Sequence, residues 1–501
     1  MLFNTIQYVF FFTFVFFTYH LIAHRFRWPI LLILSYYFYM CWMPEYIFLI
    51  LTTTAVGYVS AIGIERSLTN KGKRFWLAAS LVVTLGILFS YKYLDFFSSS
   101  IVSFLSMSGH TFDSPALKLI LPVGISFYTF QVTGYVVDVY RGDIKAYKHP
   151  GRFALFVSFF PQLVAGPIER AKRLLPQFER NIPFDYANVT DGLKLIAWGL
   201  FKKTVIADRL SIAVTTVYSA PTDGFSGIHF IVATLFFAIQ IYCDFSGYSD
   251  IAIGSAQALG FSLMDNFNRP YHAKNIQDFW RRWHISLSTW FRDYVYIPLG
   301  GNRKGEFRTN LNLLATFLLC GLWHGADWTF VTWGGLIGLY MVLYRVTRKI
   351  RERVSISLRL ETYPLGSKYI SIVFTFIMVC FAWIFFRAHS LSDALYISGN
   401  IFTGLGPFLG SIYTGLLRGD LLHSVILPEV RALGYSGYEF SVAIGSIAFL
   451  ETVHVLQRHG GIRHMLAGRP LILRWALYYA LVGSIVIFGK FGFEEFIYFR
   501  F

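Results

Sequence analysis

Charge is what this chain lacks. Of its 501 residues, 44 are Lys or Arg and 28 are Asp or Glu, so charged residues make up 14%, against about 25% in soluble globular proteins. That deficit excludes an ordinary soluble enzyme and a disordered chain, because both keep a charged surface in contact with water. Cysteine is scarce as well. Cys41, Cys243, Cys320 and Cys380 lie far apart, each inside or at the end of an apolar stretch. They offer no disulfide framework and no metal-ligand spacing, and they read as small core residues. The sequence contains no flexible linker, no repeat of fixed period and no segment with the composition of a soluble domain. Its opening run, MLFNTIQYVFFFTFVFFTYHLIAH, has neither a basic start nor a small-residue cleavage site. It is expected to be an uncleaved first span with its N-terminus outside.

What is present is apolar surface: 55% of the residues are apolar and 19% aromatic, with 52 Phe and 31 Tyr, and the mean hydropathy is +0.51. A formal charge of +16 would suit nucleic acid. The basic residues, however, sit in short clusters between apolar runs, as cytoplasmic loops require. Arg66, Lys71, Lys73 and Arg74 precede one such run and Arg141, Lys145, Lys148 and Arg152 follow the next, whereas residues 98–117 contain no Lys or Arg. Nucleic acid is thereby excluded. The expected fold is an all-α polytopic membrane protein, a single embedded domain over residues 1–501 with about ten to twelve crossings plus re-entrant and interfacial helices. Residues 153–167 (FALFVSFFPQLVAGP) are apolar but carry Pro161, Gly166 and Pro167 between basic flanks, which suits a re-entrant segment better than a span. Segments 192–210 and 228–243 read as one crossing out and one back.

The stretch 265–345 carries the chemistry. In NIQDFWRRWHISLSTWFR (275–292), Ile276, Phe279, Trp280, Trp283, Leu287, Trp290 and Phe291 recur at three- and four-residue spacing, the signature of one apolar helix face. With Asn275 as cap and Arg281, Arg282 and Arg292 on the other faces, the pattern predicts a helix lying in the membrane interface. Those arginines, with Arg303 and Lys304 of the following GGNRKG loop, either form a solvated face or meet an anionic, phosphate-bearing ligand. His284 lies at the border of the apolar face.

Residues 311–344 form an apolar stretch with basic segments on both sides. A single helix of that length would rise about 51 Å and end on the wrong side, so two antiparallel legs are expected. The turn is GLWHGADW, with Gly321 and Gly325 to break the helix and Asp327 as its only acid. His324 then lies roughly 20 Å from the cytoplasmic end. An ionisable group at such depth is expensive to keep, which makes it a candidate for function.

The run DFWRRWHISLSTWFRDYVYIPLGGNRKG, then LLCGLWHGADWTFVTWGGLIGLY, then AWIFFRA at 382–388 closely resembles the membrane-bound O-acyltransferase family, in particular the bacterial branch that contains the alginate O-acetyltransferase membrane subunit. Weaker similarities extend over nearly the whole chain, including SFFPQLVAGPIER and the closing FIYFRF. The resemblance implies that His324 is the family's essential histidine and His284 its supporting one, with Trp323 and Asp327 beside them. Imidazole suits the chemistry, since acyl transfer from a thioester to a hydroxyl needs a base that titrates near neutrality. The implied reaction moves an acetyl group from cytoplasmic acetyl-CoA or an acyl carrier thioester, with no bound cofactor and no metal, to an extracytoplasmic polysaccharide such as alginate. Peptidoglycan or another exopolysaccharide is the alternative acceptor, and a transporter or flippase the alternative class. The expected setting is the bacterial inner membrane among lipids, with a periplasmic SGNH-type acetyltransferase as partner. The aromatic tail 490–501 is too apolar to float in water and is expected to tuck back into the protein. There Tyr498 is either an anchor or, as the resemblance suggests, an acyl relay.

Overall fold

The computed structural model describes residues 1–108, 119–359, 362–459, 465–466, 468–491 and 496–497. Among them every regular element is a helix. Seven helices are long and apolar enough to cross a bilayer, and the remaining expected crossings fall on helices that are shorter or more polar. The first group is α1 (Ile6–Leu21), α2 (His24–Met40), α3 (Ile47–Arg66), α4 (Asn70–Lys92), α5 (Leu94–Ser106) and α6 (Ile125–Arg141). Of these, α6 is buried along most of its length. The 153–167 stretch is two short pieces, α7 (Pro150–Ser158) and α8 (Phe160–Leu163), followed by α9 (Ala171–Leu174). Residues 153–168 are all buried apart from Ala154, as a re-entrant segment enclosed by protein should be.

The central pair is α10 (Tyr186–Leu200), running through a π-helical turn at Phe201–Ala207 into α11 (Asp208–Ser219), packed against α12 (Gly227–Ala258). Glycines set that contact. A Cβ on Gly192 would lie 2.6 Å from the Gly254 carbonyl oxygen and one on Gly199 2.5 Å from that of Gly247, so only hydrogen at these positions lets the backbones touch. The sequence reading ended this second crossing at residue 243, because the chain turns polar there. The structure carries the helix on to Ala258, since the facing π turn neutralises the acids: Lys203 bonds Asp244 at 2.6 Å and Asp208 at 2.7 Å, and Lys202 bonds Asp250 at 2.8 Å.

The expected interfacial helix over 275–292 is corrected. It is two short helices, α13 (Ile276–Trp280) and α14 (Ile285–Phe291), separated by a turn in which His284 adopts φ +41°. All seven apolar residues of the predicted face are buried in protein, so the stripe faces the core and not lipid. After a second π turn, α15 (Gly305–His324) and α16 (Trp328–Val346) form the predicted hairpin, followed by α17 (Arg348–Ser357) and α18 (Pro364–Arg387). Gly321 does not break α15. It lies inside the helix, where a Cβ would stand 2.3 Å from the Phe330 carbonyl oxygen, and one on Gly334 would stand 2.3 Å from that of Phe317. The chain closes with α19 (Leu391–Asn400), α20 (Leu405–Arg418), α21 (Leu427–Ala432), α22 (Gly437–Leu456) and α23 (Leu471–Phe488). Three cysteines are buried as expected; Cys41 is exposed, just past the end of α2.

Candidate active site

One face of α15 leads to the site. Leu313, Thr316, Phe317 and Cys320 line a cavity of about 1080 Å³, and their spacing of three and four continues to His324, one turn and about 6 Å beyond Cys320. His324 is the last residue of the helix and is 2% exposed. Its ring meets Trp333 at 5.0 Å and Phe386 at 5.3 Å, both nearly edge-on, the arrangement that aromatic quadrupoles favour. Trp383 stacks on Trp333 at 5.6 Å, so the AWIFFRA segment forms the wall behind the imidazole. His324 and Trp323 also border a second, much smaller cavity of about 40 Å³ with Lys92, Gly124, Ser126, Phe127 and Val164.

His284 is fully buried. Its Nδ1 lies 3.0 Å from Asn266 Oδ1, which also accepts the Ser286 hydroxyl at 2.9 Å and the Ser286 N–H at 3.3 Å. An amide oxygen has no proton to donate, so at this contact the imidazole is the donor and carries its proton on Nδ1. The Ile285 N–H donates to the Asn266 carbonyl at 2.9 Å. Together these bonds hold a left-handed backbone that a residue with a Cβ rarely adopts. The ring packs 4.6 Å from Phe245 and 6.0 Å from Trp323, which places both histidines around one tryptophan.

The large cavity collects positive charge at its mouth. Arg281 and Arg292 line it, together with Arg345, Arg348 and Arg351 of α16 and α17. Arg282 lies outside that lining and bonds Asp278 at 2.8 Å. Arg303 and Lys304 also lie outside it, exposed in their loop. Asp327 is an exposed N-cap of α16, accepting the Thr329 N–H at 2.8 Å.

The model of the MBOAT, membrane-bound O-acyltransferase, family matches residues 147–387. A probable alginate O-acetylase, AlgI, of Pseudomonas putida is 39% identical over 394 residues, covering 77% of this chain and 76% of its own. The chain belongs to the membrane-bound O-acyltransferase family. A peptidoglycan O-acetyltransferase of Helicobacter pylori is 37% identical over 393 residues, 73% of this chain and 72% of its own. A teichoic acid D-alanyltransferase of Bacillus subtilis is 29% identical over 288 residues, 54% of this chain and 70% of its own. The protein is thus a multi-pass membrane O-acyltransferase.

For this O-acyltransferase, two features of the site come from outside the matched segment. One is Lys92, at the end of α4, whose Nζ donates to the carbonyls of Trp323 at 2.6 Å and His324 at 3.1 Å. The other is the C-terminal tail. Its described residues 496–497 do tuck back: Phe496 and Ile497 are buried, the Ile497 N–H donates to Asp244 Oδ2 at 2.8 Å, and the Phe496 ring lies 4.6 Å from Tyr248 and 5.7 Å from Phe245. Tyr498 lies outside the described residues. The sequence reading missed Asn266, Lys92 and the arginines of α16 and α17 as site residues. The last group was visible only as the basic flank of a hairpin, and the first two act on residues too distant in the chain for spacing to reveal.

Proposed function

We propose that this O-acyltransferase takes an acetyl group from a cytoplasmic thioester, acetyl-CoA, and passes it at His324 to an acceptor on the far side of the membrane. The observation that carries the reading is that the face of α15 lining the large cavity ends at Cys320, one turn before His324, while His324 itself borders the small one. The larger one, rimmed by Arg281, Arg292, Arg345, Arg348 and Arg351, suits a donor whose phosphates stay on the basic face while the pantetheine arm extends along α15. Arginine forks bind phosphate bidentately. The smaller one admits only the reacting end of an acceptor. Trp333, Trp383 and Phe386 exclude the water that would hydrolyse the thioester.

His324 acts as general base toward the acceptor hydroxyl, and His284, locked as its Nδ1–H tautomer by Asn266, supports it from across Trp323. The acceptor is an envelope polysaccharide of the inner-membrane export route, alginate-like by the Pseudomonas relative, with peptidoglycan the second reading favoured by the Helicobacter one. A periplasmic SGNH-type acetyltransferase would complete delivery. The test is to delete the gene and measure ester-linked acetate on each envelope polysaccharide. Loss confined to one polymer identifies the acceptor, and unchanged acetate on all of them would overturn the assignment.

A further inference from the structure

Among the described residues, Lys92 is the cation placed beside His324. Helix α4 carries Lys71, Lys73 and Arg74 in its first turn and ends at Lys92, while α15 leaves the basic loop Arg303–Lys304 and ends at His324, so the two helix ends meet at the side away from those basic residues. The carbonyls of Trp323 and His324, to which Nζ donates, belong to the last turn of α15, where carbonyl oxygens have no helical partner. A cation there also answers the negative end of the helix dipole. A neutral amide would serve as well for capping. A half-buried ammonium at the end of an apolar helix is costly to desolvate, and among the described residues Lys92 forms no ion pair that would offset it. An ammonium has three N–H donors. Two are used on the carbonyls, and the group itself lines the small cavity that His324 borders.

We propose that Lys92 stabilises the oxyanion of the acyl-transfer step, an inference that rests on the reading of His324 given above. The acceptor hydroxyl adds to the thioester carbonyl carbon as the His324 imidazole takes its proton. The carbonyl π pair moves to oxygen, and the resulting negative charge faces the Lys92 ammonium. On collapse the C=O bond reforms, the C–S bond breaks, and the imidazolium returns the proton to the leaving thiolate. Lys92 keeps its protons throughout and acts only through its charge.

The test measures CoA release from acetyl-CoA by the full chain in lipid nanodiscs, with an alginate oligosaccharide supplied as the hydroxyl acceptor. Lys92→Gln retains N–H donors for the two carbonyls but removes the charge, and it should lower kcat by about 100-fold or more with KM changed less than about threefold, the pattern of an interaction made only in the transition state. Lys92→Arg keeps both donors and charge and should retain at least about a tenth of the rate. A Lys92→Gln protein with kcat within about threefold of the parent reduces Lys92 to a helix cap and overturns the proposal. A Lys92→Gln protein that fails to fold assigns the residue to the architecture and equally overturns it. His324→Ala, run in parallel, separates the two claims: normal CoA release there refutes the reading of His324 itself, whereas loss there with normal release in Lys92→Gln refutes only the role of Lys92.

Discussion

At the scale of single residues, the site separates side chains that touch the donor cavity from neighbours that only resemble them in sequence. Arg281 and Arg282 are adjacent and chemically identical, yet Arg281 lines the cavity while Arg282 is engaged by Asp278. Arg281→Gln should therefore raise KM for acetyl-CoA about tenfold with little change in kcat, as expected for binding common to ground and transition states. Arg282→Gln should leave KM within about twofold, since its guanidinium is half-buried against Asp278 and does not line the cavity. Steady-state kinetics on both proteins checks this, and equal effects would contradict the cavity assignment. His324 was legible in the sequence because an ionisable residue in the middle of an apolar hairpin has few reasons to be there. Asn266 was not, because a solitary amide 18 residues before the histidine it orients gives no periodic signal.

At the scale of elements, periodicity found the hairpin α15–α16 and failed on α13–α14. The hydrophobic stripe of 275–292 was real, and its seven residues are buried. But a three-and-four repeat does not report whether the helix is continuous, nor whether its apolar face meets lipid or protein. The break at His284 depends on Asn266 capturing the backbone across a loop, a tertiary effect beyond any local pattern. The hairpin instead depends on the reciprocal close approach of Gly321 and Gly334. Gly321→Ala places a methyl group 2.3 Å from the Phe330 carbonyl oxygen, which the two legs can relieve only by separating. The expected cost is about 1–3 kcal/mol, read as a lower unfolding temperature in detergent, with activity reduced because His324 sits on the displaced turn. Gly86→Ala is the control, since its Cβ would enter open space.

At the scale of the whole molecule, the site is assembled from parts far apart in the chain: Lys92 from the first third, the two histidines from the middle, and a tail whose Phe496 and Ile497 dock onto α12 beside Phe245. Charge clusters and apolar runs made the polytopic fold legible, but not which helix ends meet. Tyr498 follows Ile497 in the sequence, and Tyr498→Phe keeps the ring while removing only the hydroxyl. If Tyr498 relays the acyl group, polymer acetylation should be lost while acetyl-CoA binding persists; if it is an anchor, acetylation should be unchanged. The central claim is that His324 joins a donor cavity on one face to an acceptor path on the other. It is tested most directly in proteoliposomes supplied with labelled acetyl-CoA on the basic face only, by measuring labelled acetyl ester formed on the opposite side. The account predicts transfer by the parent protein and none by a folded His324→Ala variant that still binds the donor. Transfer by that variant, or ester formed only on the donor's side, would contradict it.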